Sequence, residues 1–358
     1  MTKDYSEFLS LSSNGALNSP SYSRLNHLGW QGFFSSQISA DELSTTPPVR
    51  VTEVHRSGLH VLGETIEQMI PPMAEATVGD WILLDEAAPH TSRVLERKSL
   101  FKRRAPGTDH SIQLIAANVD TALIVTSCND DFNVARLERY IAVVFEADVD
   151  AVIVLTKSDL CDAPQTYLDR AEAISERVPV VLLDARNEEP AQKLAPWCKP
   201  GQTIAVLGSS GVGKSTLVNA LSGENLMATQ GIREDDSKGR HTTTYRALRL
   251  LEGGFAIMDT PGMRSLEMTD AASGIADVFA DLMELAGDCR FNDCAHETEP
   301  GCAVLAAIES GQIDAARLAR WKKLDAEERF NSASLAERRA QDKAFGKKVR
   351  SIMKSKQK

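Results

Sequence analysis

The strongest chemical signal in the chain is Gly208-Ser209-Ser210-Gly211-Val212-Gly213-Lys214-Ser215, followed by Thr216. It fits G-x-x-x-x-G-K-[ST], a phosphate-binding loop. An apolar run, Thr203 to Leu207, precedes it, and a segment of helical period, Thr216 to Leu221, comes after it. The glycines let the backbone curl so that several N–H groups point at phosphate oxygens. Lys214 is placed to reach the β and γ phosphates, and the Ser215 hydroxyl to ligate Mg²⁺. A nucleoside triphosphate with Mg²⁺ is the expected ligand.

Three further motifs set the class. Asp259-Thr260-Pro261-Gly262 closes an apolar run, Phe255 to Met258. Its carboxylate is expected to hold Mg²⁺ through water, and the Gly262 N–H to sense the γ phosphate. Upstream lies Gly239-Arg240-His241-Thr242-Thr243-Thr244. Thr243, with Thr242 as its neighbour alternative, is the expected last oxygen of the Mg²⁺ shell. Thr156-Lys157-Ser158-Asp159 ends another apolar run and matches the guanine-reading pattern N-K-x-D, with Thr in place of Asn. A carboxylate there accepts two hydrogen bonds, from guanine N1–H and the exocyclic amine, which adenine does not offer as a pair. Such sites discriminate by roughly 10⁴ or more. The Lys157 stem lies along the base. Thr156 keeps a hydroxyl but loses the amide. Asp184-Ala185-Arg186 either meets guanine O6 through the Ala185 N–H or is a plain loop.

These residues point to GTP and GDP as ligands and to GTP hydrolysis, with Lys214, His241 and Thr243 as the catalytic candidates. Met263 stands after D-x-x-G, where many GTPases place a water-orienting Gln. Met cannot orient water, so turnover of the chain alone is expected to be slow. The missing polar group comes from His241 or from a bound partner; the other reading of His241 is contact with RNA or solvent.

The order of the motifs is rotated. The guanine motif comes at 156, the phosphate loop at 208, the threonine loop at 241 and D-x-x-G at 259. The same sheet can still form, because the termini of a compact domain often lie close enough to permute. One consequence is that the loops sensing the γ phosphate run straight into the C-terminal region.

A second site lies further along the chain. Cys289, Cys294, His296 and Cys302 form C-x4-C-x-H-x5-C, which uses three of the chain's six cysteines. Three thiolates and one imidazole complete a tetrahedral shell for structural Zn²⁺ and leave no place for substrate water. Cys128, Cys161 and Cys198 are scattered and read as ordinary cysteines.

The elements that must position these groups are legible in outline. Residues 1–46 are rich in Ser, Asn and Gly and read as a flexible extension, with a docked patch at Leu28-Gly29-Trp30. Residues 47–108 carry short β-rich runs broken by Gly and Pro, a small all-β barrel or sandwich. Arg93 to Arg97 is its expected last strand, and Arg97, Lys98, Lys102, Arg103 and Arg104 its basic rim. Residues 109–280 alternate strands (Thr121 to Thr126, Ala151 to Thr156, Pro179 to Leu183, Thr203 to Leu207) with helices such as Val134 to Ala147. That pattern predicts a parallel sheet covered on both faces, an α/β P-loop GTPase domain with permuted motif order. Residues 281–358 hold the metal cluster, a mostly helical segment with Arg317, Arg320, Lys322 and Lys323, and a basic tail. From Lys343 to Lys358 the tail carries seven Lys or Arg and no acid.

Composition excludes several classes. The 358-residue chain is 42% hydrophobic and 25% charged, ordinary for a globular protein. No window approaches the ~18 consecutive apolar residues of a membrane span, and the first ten residues lack a secretory apolar core. Sparse cysteines fit a reducing cytoplasm. A net charge of -10 argues against a protein coated all over in nucleic acid, while the rim and the tail offer local RNA contacts. No membrane or DNA partner is expected, and a monomer is.

The four nucleotide motifs and the Cys/His cluster together resemble the circularly permuted, ribosome small-subunit-dependent GTPase A (RsgA) family, over roughly residues 47–330. The resemblance implies an N-terminal OB-fold, a central GTPase and a C-terminal zinc domain. It also implies a late role in assembly of the small ribosomal subunit, hydrolysis stimulated by that subunit, and ribosomal RNA as the target of the basic rim. Two other functions fit some of the residues. One is a nucleotide-gated RNA-binding assembly factor in which hydrolysis is incidental; the other is an ATP-using kinase, against which Asp159 argues.

Overall fold

Short apolar-aromatic stretches near the N-terminus pack against the β-rich region after them. The computed structural model describes residues 23–104, 112–223, 246–259 and 271–332. Helices α1 (Arg24–His27), α2 (Gly32–Ser35) and α3 (Ala40–Thr45) come first. Ser23 caps α1, and Ser39 with Glu42 forms a capping box on α3. Leu25, Leu28, Trp30 and Phe34 bury against Trp81, Leu83 and Leu95. Trp30 meets Trp81 edge-on at 4.8 Å, and Phe34 lies 5.8 Å from the same ring. Residues 23–46 are therefore a packed cover rather than a flexible extension. The expected Leu28-Gly29-Trp30 patch is its centre.

Strands β1 (Pro48–His55), β2 (Gly58–Gly63), β3 (Glu67–Ile70), β4 (Trp81–Leu83) and β5 (Arg93–Val94) form a small antiparallel unit. Strand alternation divides its faces: Val49, Val51, Val61 and Ile82 point into one cluster, while Trp81 and Leu83 point at the N-terminal cover. The last strand is shorter than expected, because Leu95 turns into the core and Arg97 leaves the ladder to grip Asp80.

Arg50 keeps the alternation, on the face of its register partner Trp81, but places a charge inside. It is 1% exposed and donates to the carbonyls of Leu28, Gly79 and Asn118. Burial pulls its guanidinium down to about 10, against the pull of Asp120 and Asp80. Two residues expected on a basic rim are likewise internal ties. Arg97 holds the buried Asp80 at 2.7 Å, and Lys98 holds Asp120 at 2.6 Å.

Strands β6 (Leu100–Arg104) and β7 (Ile112–Ala117) pair as a separate ribbon. Its two strands lie on either side of residues 105–111, which are outside the described residues. Next come β8 (Thr121–Ser127), α4 (Val134–Glu146), β9 (Asp150–Thr156), α5 (Pro164–Glu172), β10 (Val180–Leu182), α6 (Glu189–Lys193), β11 (Thr203–Leu207), α7 (Lys214–Ser222), β12 (Arg246–Leu250) and β13 (Ala256–Asp259). The sheet order is β10-β9-β8-β11-β13-β12 and then β1-β2-β3. The first five strands are parallel, β12 is antiparallel to β13, and β12 pairs β1 through Glu53 opposite Ala247. Leu123, Val152, Val154, Ile204, Leu217 and Ile257 pack in one core between the strands and α7.

The chain forms two compact units, 1–266 and 267–358. The second unit contains α8 (Ala272–Val278), α9 (Ala280–Gly287), α10 (Ala303–Glu309) and α11 (Ala315–Ser332). Phe279, Leu282, Val304 and Leu318 are buried in it. Arg317 is fixed by Asp281 at 2.7 and 2.8 Å and lies over the Phe279 ring. The basic run Lys343 to Lys358 lies outside the described residues.

Candidate nucleotide site and metal centre

Because β10, β9, β8, β11 and β13 are parallel, the segments leaving their carboxyl ends emerge at one edge of the sheet. The Thr156 motif, the Asp184 loop, the phosphate loop and Asp259 all leave from that edge. Asp259 is the last residue of β13, opposite Ala247. Thr260 to Met263 and the threonine loop with His241, Thr242 and Thr243 lie outside the described residues.

The phosphate loop joins β11 to α7. Gly208 has φ +137°, and a Cβ there would sit 2.2 Å from the Val125 carbonyl oxygen, so the loop can leave the sheet only at glycine. Gly213, at φ +96°, turns the chain into α7, whose first turn carries Lys214, Ser215 and Thr216. The N–H groups of a helix's first turn point out of its N-terminal end, an arrangement that suits an anion. Val212 is buried, and its carbonyl accepts from Thr156 Oγ1 at 2.6 Å. Thr156 Oγ1 also lies 3.1 Å from the Thr126 carbonyl. The hydroxyl kept in the departure from N-K-x-D thus ties the end of β9 to the phosphate loop. Lys214 Nζ donates to the Ser209 carbonyl within the loop.

Lys157 takes a left-handed conformation (φ +57°), and Ser158-Asp159-Leu160 forms a single tight turn. The Asp159 carboxylate is paired with Arg186. Arg186 also lies 3.5 Å from Asp184, whose Oδ1 accepts from the Arg186 N–H at 2.9 Å. Ala185, expected to offer its N–H to a base, is 6% exposed at the same loop.

Two cations have roles that residue type and spacing do not announce. Arg136, in the first turn of α4, donates to Ser209 Oγ at 2.6 Å, and Arg186 reaches Asp159. Each comes after the carboxyl end of a parallel strand, and that position is the one hint the sequence holds. No spacing rule connects either to its partner.

The metal-ligating candidates do converge. The donor atoms of Cys289, Cys294, His296 and Cys302 all lie within 4.8 Å of one another. His296 Nδ1 is 3.3 Å from Cys302 Sγ and 3.6 Å from Cys289 Sγ, so Nδ1 is the ring nitrogen that faces the sulfurs. Cys302 caps α10 by accepting from the Leu305 N–H at 3.4 Å. Lys322 Nζ holds the His296 carbonyl at 3.1 Å, and the Trp321 ring lies 5.8 Å from the imidazole. Burial, helped by Lys322, lowers His296 and so favours its neutral form, against a smaller opposing pull from Glu299. Burial opposes the Cys289 thiolate, but the Val304 and Ala303 N–H groups carry it below its usual range. Cys294 is pushed up to about 11, first by desolvation and then by its neighbour thiols. Three sulfurs this close ionise together only beside a cation, so the donor set fits a bound metal. Cys128 and Cys198 are pushed up by burial, to about 11 and about 12, and read as inert.

A mixed sheet with its phosphate loop between β11 and α7, and its T-K-S-D motif earlier in the chain after β9, defines a circularly permuted P-loop GTPase. The comparisons agree. A family model described as RsgA GTPase matches residues 94–269. "Small ribosomal subunit biogenesis GTPase RsgA 2" of Vibrio parahaemolyticus is 48% identical over 340 residues, 93% of this chain and 94% of that protein. "Small ribosomal subunit biogenesis GTPase RsgA" of Mesorhizobium japonicum is 47% identical, covering 86% of this chain and 91% of its own length. The chain belongs to the RsgA GTPase family and is a GTP-hydrolysing enzyme. Two solved structures share the fold. YjeQ of Thermotoga maritima has a TM-score of 0.58 at 24% identity, over 77% of this chain and 96% of that one. YloQ, described as a circularly permuted GTPase, has a TM-score of 0.56 at 22% identity, over 81% of this chain and 97% of that one. Among the described residues no helix is long and apolar enough to cross a membrane.

Proposed function

We propose that the chain hydrolyses GTP in late maturation of the small ribosomal subunit, slowly alone and faster on that subunit. Its relatives' names support the biological setting. The observation that carries the site reading is the bond from Thr156, first residue of the guanine motif, to Val212 in the phosphate loop. It brings the base-reading and phosphate-binding segments into one cradle.

In that cradle Gly208 to Thr216 wrap the phosphates with backbone N–H groups. Lys214 exchanges its internal carbonyl for β and γ oxygens. Asp159 reads the guanine edge, with Lys157 and Ser158 shaping the turn that presents it. The Mg²⁺ that accompanies GTP, with Ser215, Thr243 and Asp259 as its protein oxygens, supplies charge neutralisation on the phosphates. His241 is the proposed water-orienting group. The Cys289, Cys294, His296 and Cys302 set suits one structural Zn²⁺ with no catalytic role, because four protein donors would fill a tetrahedral shell and leave no position for water. The β1–β5 unit is read as an OB-type barrel. RNA contact is assigned to Lys102, Arg103 and Arg104 and to the C-terminal basic tail, with the protein a cytoplasmic monomer.

The test is the GTPase rate with and without purified small subunits, beside subunit affinity with GTP, GDP and no nucleotide. Stimulated turnover supports the reading. Nucleotide-dependent binding without stimulation overturns it.

A further inference from the structure

Two parts of the candidate site must bracket a guanine edge. Asp159 would accept from N1–H and the exocyclic amine, and the Ala185 N–H would meet O6. The residue next to Ala185 is Arg186, whose side chain runs back to the Asp159 carboxylate. The guanidinium therefore spans the same gap that a base edge has to enter. It uses one of the two carboxylate oxygens on which the reading of guanine depends, and it neutralises the charge that makes them strong acceptors.

The pair can open. The Arg186 side chain is 60% exposed and that of Asp159 26%. A second carboxylate waits for the cation: Asp184 Oδ1 lies 3.5 Å from Arg186 Nε. The loop itself does not need to move, because the Arg186 N–H is already fixed to Asp184 and the Asp184 N–H to Glu189 at 3.2 Å.

We propose that Arg186 is a latch on guanine entry, competing with the base for Asp159 and swinging to Asp184 when the base is read. The proposal rests on Asp159 reading guanine. Arg186 is a specificity-setting residue rather than a catalytic one: it is released by the substrate and touches no phosphate. Competition of this kind weakens GTP and GDP alike and leaves ATP untouched, since adenine makes no paired demand on the carboxylate.

The experiment measures binding of fluorescent GDP and GTP to the full chain, with ATP as competitor. Exposed ion pairs are modest, so Arg186→Ala and Arg186→Gln should each tighten both guanine nucleotides by about two- to fivefold, mainly through faster association. The gain should shrink toward onefold at ~1 M salt, where an exposed pair is screened. Asp184→Asn should act in the opposite sense, weakening guanine nucleotides by a similar factor, and should have no effect once Arg186 is Ala. Unchanged or weaker guanine binding in both Arg186 variants overturns the latch. Asp159→Asn separates the two ideas. If it leaves the preference for GTP over ATP intact, base reading at Asp159 fails and the latch with it. If the preference is lost while the Arg186 variants are silent, only the latch fails.

Discussion

Thr156 Oγ1 donates to the Val212 carbonyl at 2.6 Å, joining the end of β9 to the middle of the phosphate loop. Thr156 is fully buried, so the carbonyl has no water to turn to. Thr156→Val removes the donor and keeps the shape. An orphaned buried acceptor costs about 1–2 kcal/mol, so GTP and GDP affinity should fall roughly 5- to 30-fold. Thr156→Ser should restore it. Titration with a fluorescent nucleotide checks both, and equal affinities for Val and Ser would remove the tie from the account.

Asp159→Asn should erase most of a guanine preference on the order of 10⁴. The same variant should gain affinity for xanthosine triphosphate, whose 2-oxo group can accept from the new amide. Competition of labelled GTP by unlabelled ATP and by the xanthine nucleotide reads both effects.

Removal of the metal should unfold the second unit. Its donor set lies at the start of α10 and under α11, and small metal-stapled units derive their folding free energy from the ion. Chelation, or Cys294→Ser, should lower helical circular dichroism and change Trp321 fluorescence, since that ring lies beside His296. Elemental analysis should return one zinc per chain. A full-length protein that keeps its helicity without metal would contradict this.

Glu299 accepts from the N–H groups of Ala295, Glu297 and Thr298 and so shapes the loop between two of the candidate ligands, His296 and Cys302. Hydrogen bonds from the Glu297, Glu299 and Ala295 backbones lower its carboxyl from 4.5 to about 2. Its folded value is depressed, so its contribution is complete above the ordinary carboxylate range and is lost only as pH falls through about 2. Acid release of the metal should therefore have its midpoint well above that value, set by the thiolates and the imidazole. Glu299→Gln should weaken metal binding by about tenfold or more and move that midpoint upward. A metal-release titration followed with a chromophoric chelator measures the shift.

Arg50→Ala should leave the carbonyls of Leu28, Gly79 and Asn118 without their shared donor, at a cost of about 3–5 kcal/mol. The tie spans the N-terminal cover, the small antiparallel unit and the β7–β8 corner. Urea unfolding should show all of the first unit weakened; a loss confined to residues 23–46 would argue against a shared tie.

Local signals were legible wherever a short stretch of chain states its own geometry. The glycines and lysine of the phosphate loop, the spacing of Cys289, Cys294, His296 and Cys302, and the apolar runs of β8, β9 and β11 each declare a turn, a ligand shell or a buried strand within a few residues. The rotated motif order was legible for the same reason.

Long-range pairings had no such signal. Val49-Arg50-Val51 reads as ordinary alternation, and only the arrival of Leu28 and Asn118 from elsewhere explains a buried guanidinium. The same holds for Arg97 and Lys98, read as a surface rim and found gripping Asp80 and Asp120, and for Trp30 and Phe34, whose partner Trp81 lies some fifty residues on. Tertiary structure alone joined β1 to β12 and brought Arg186 to Asp159. An ion pair or an edge pairing between distant segments is a property of where two chains meet, and residue type at either end is compatible with solvent as much as with the partner.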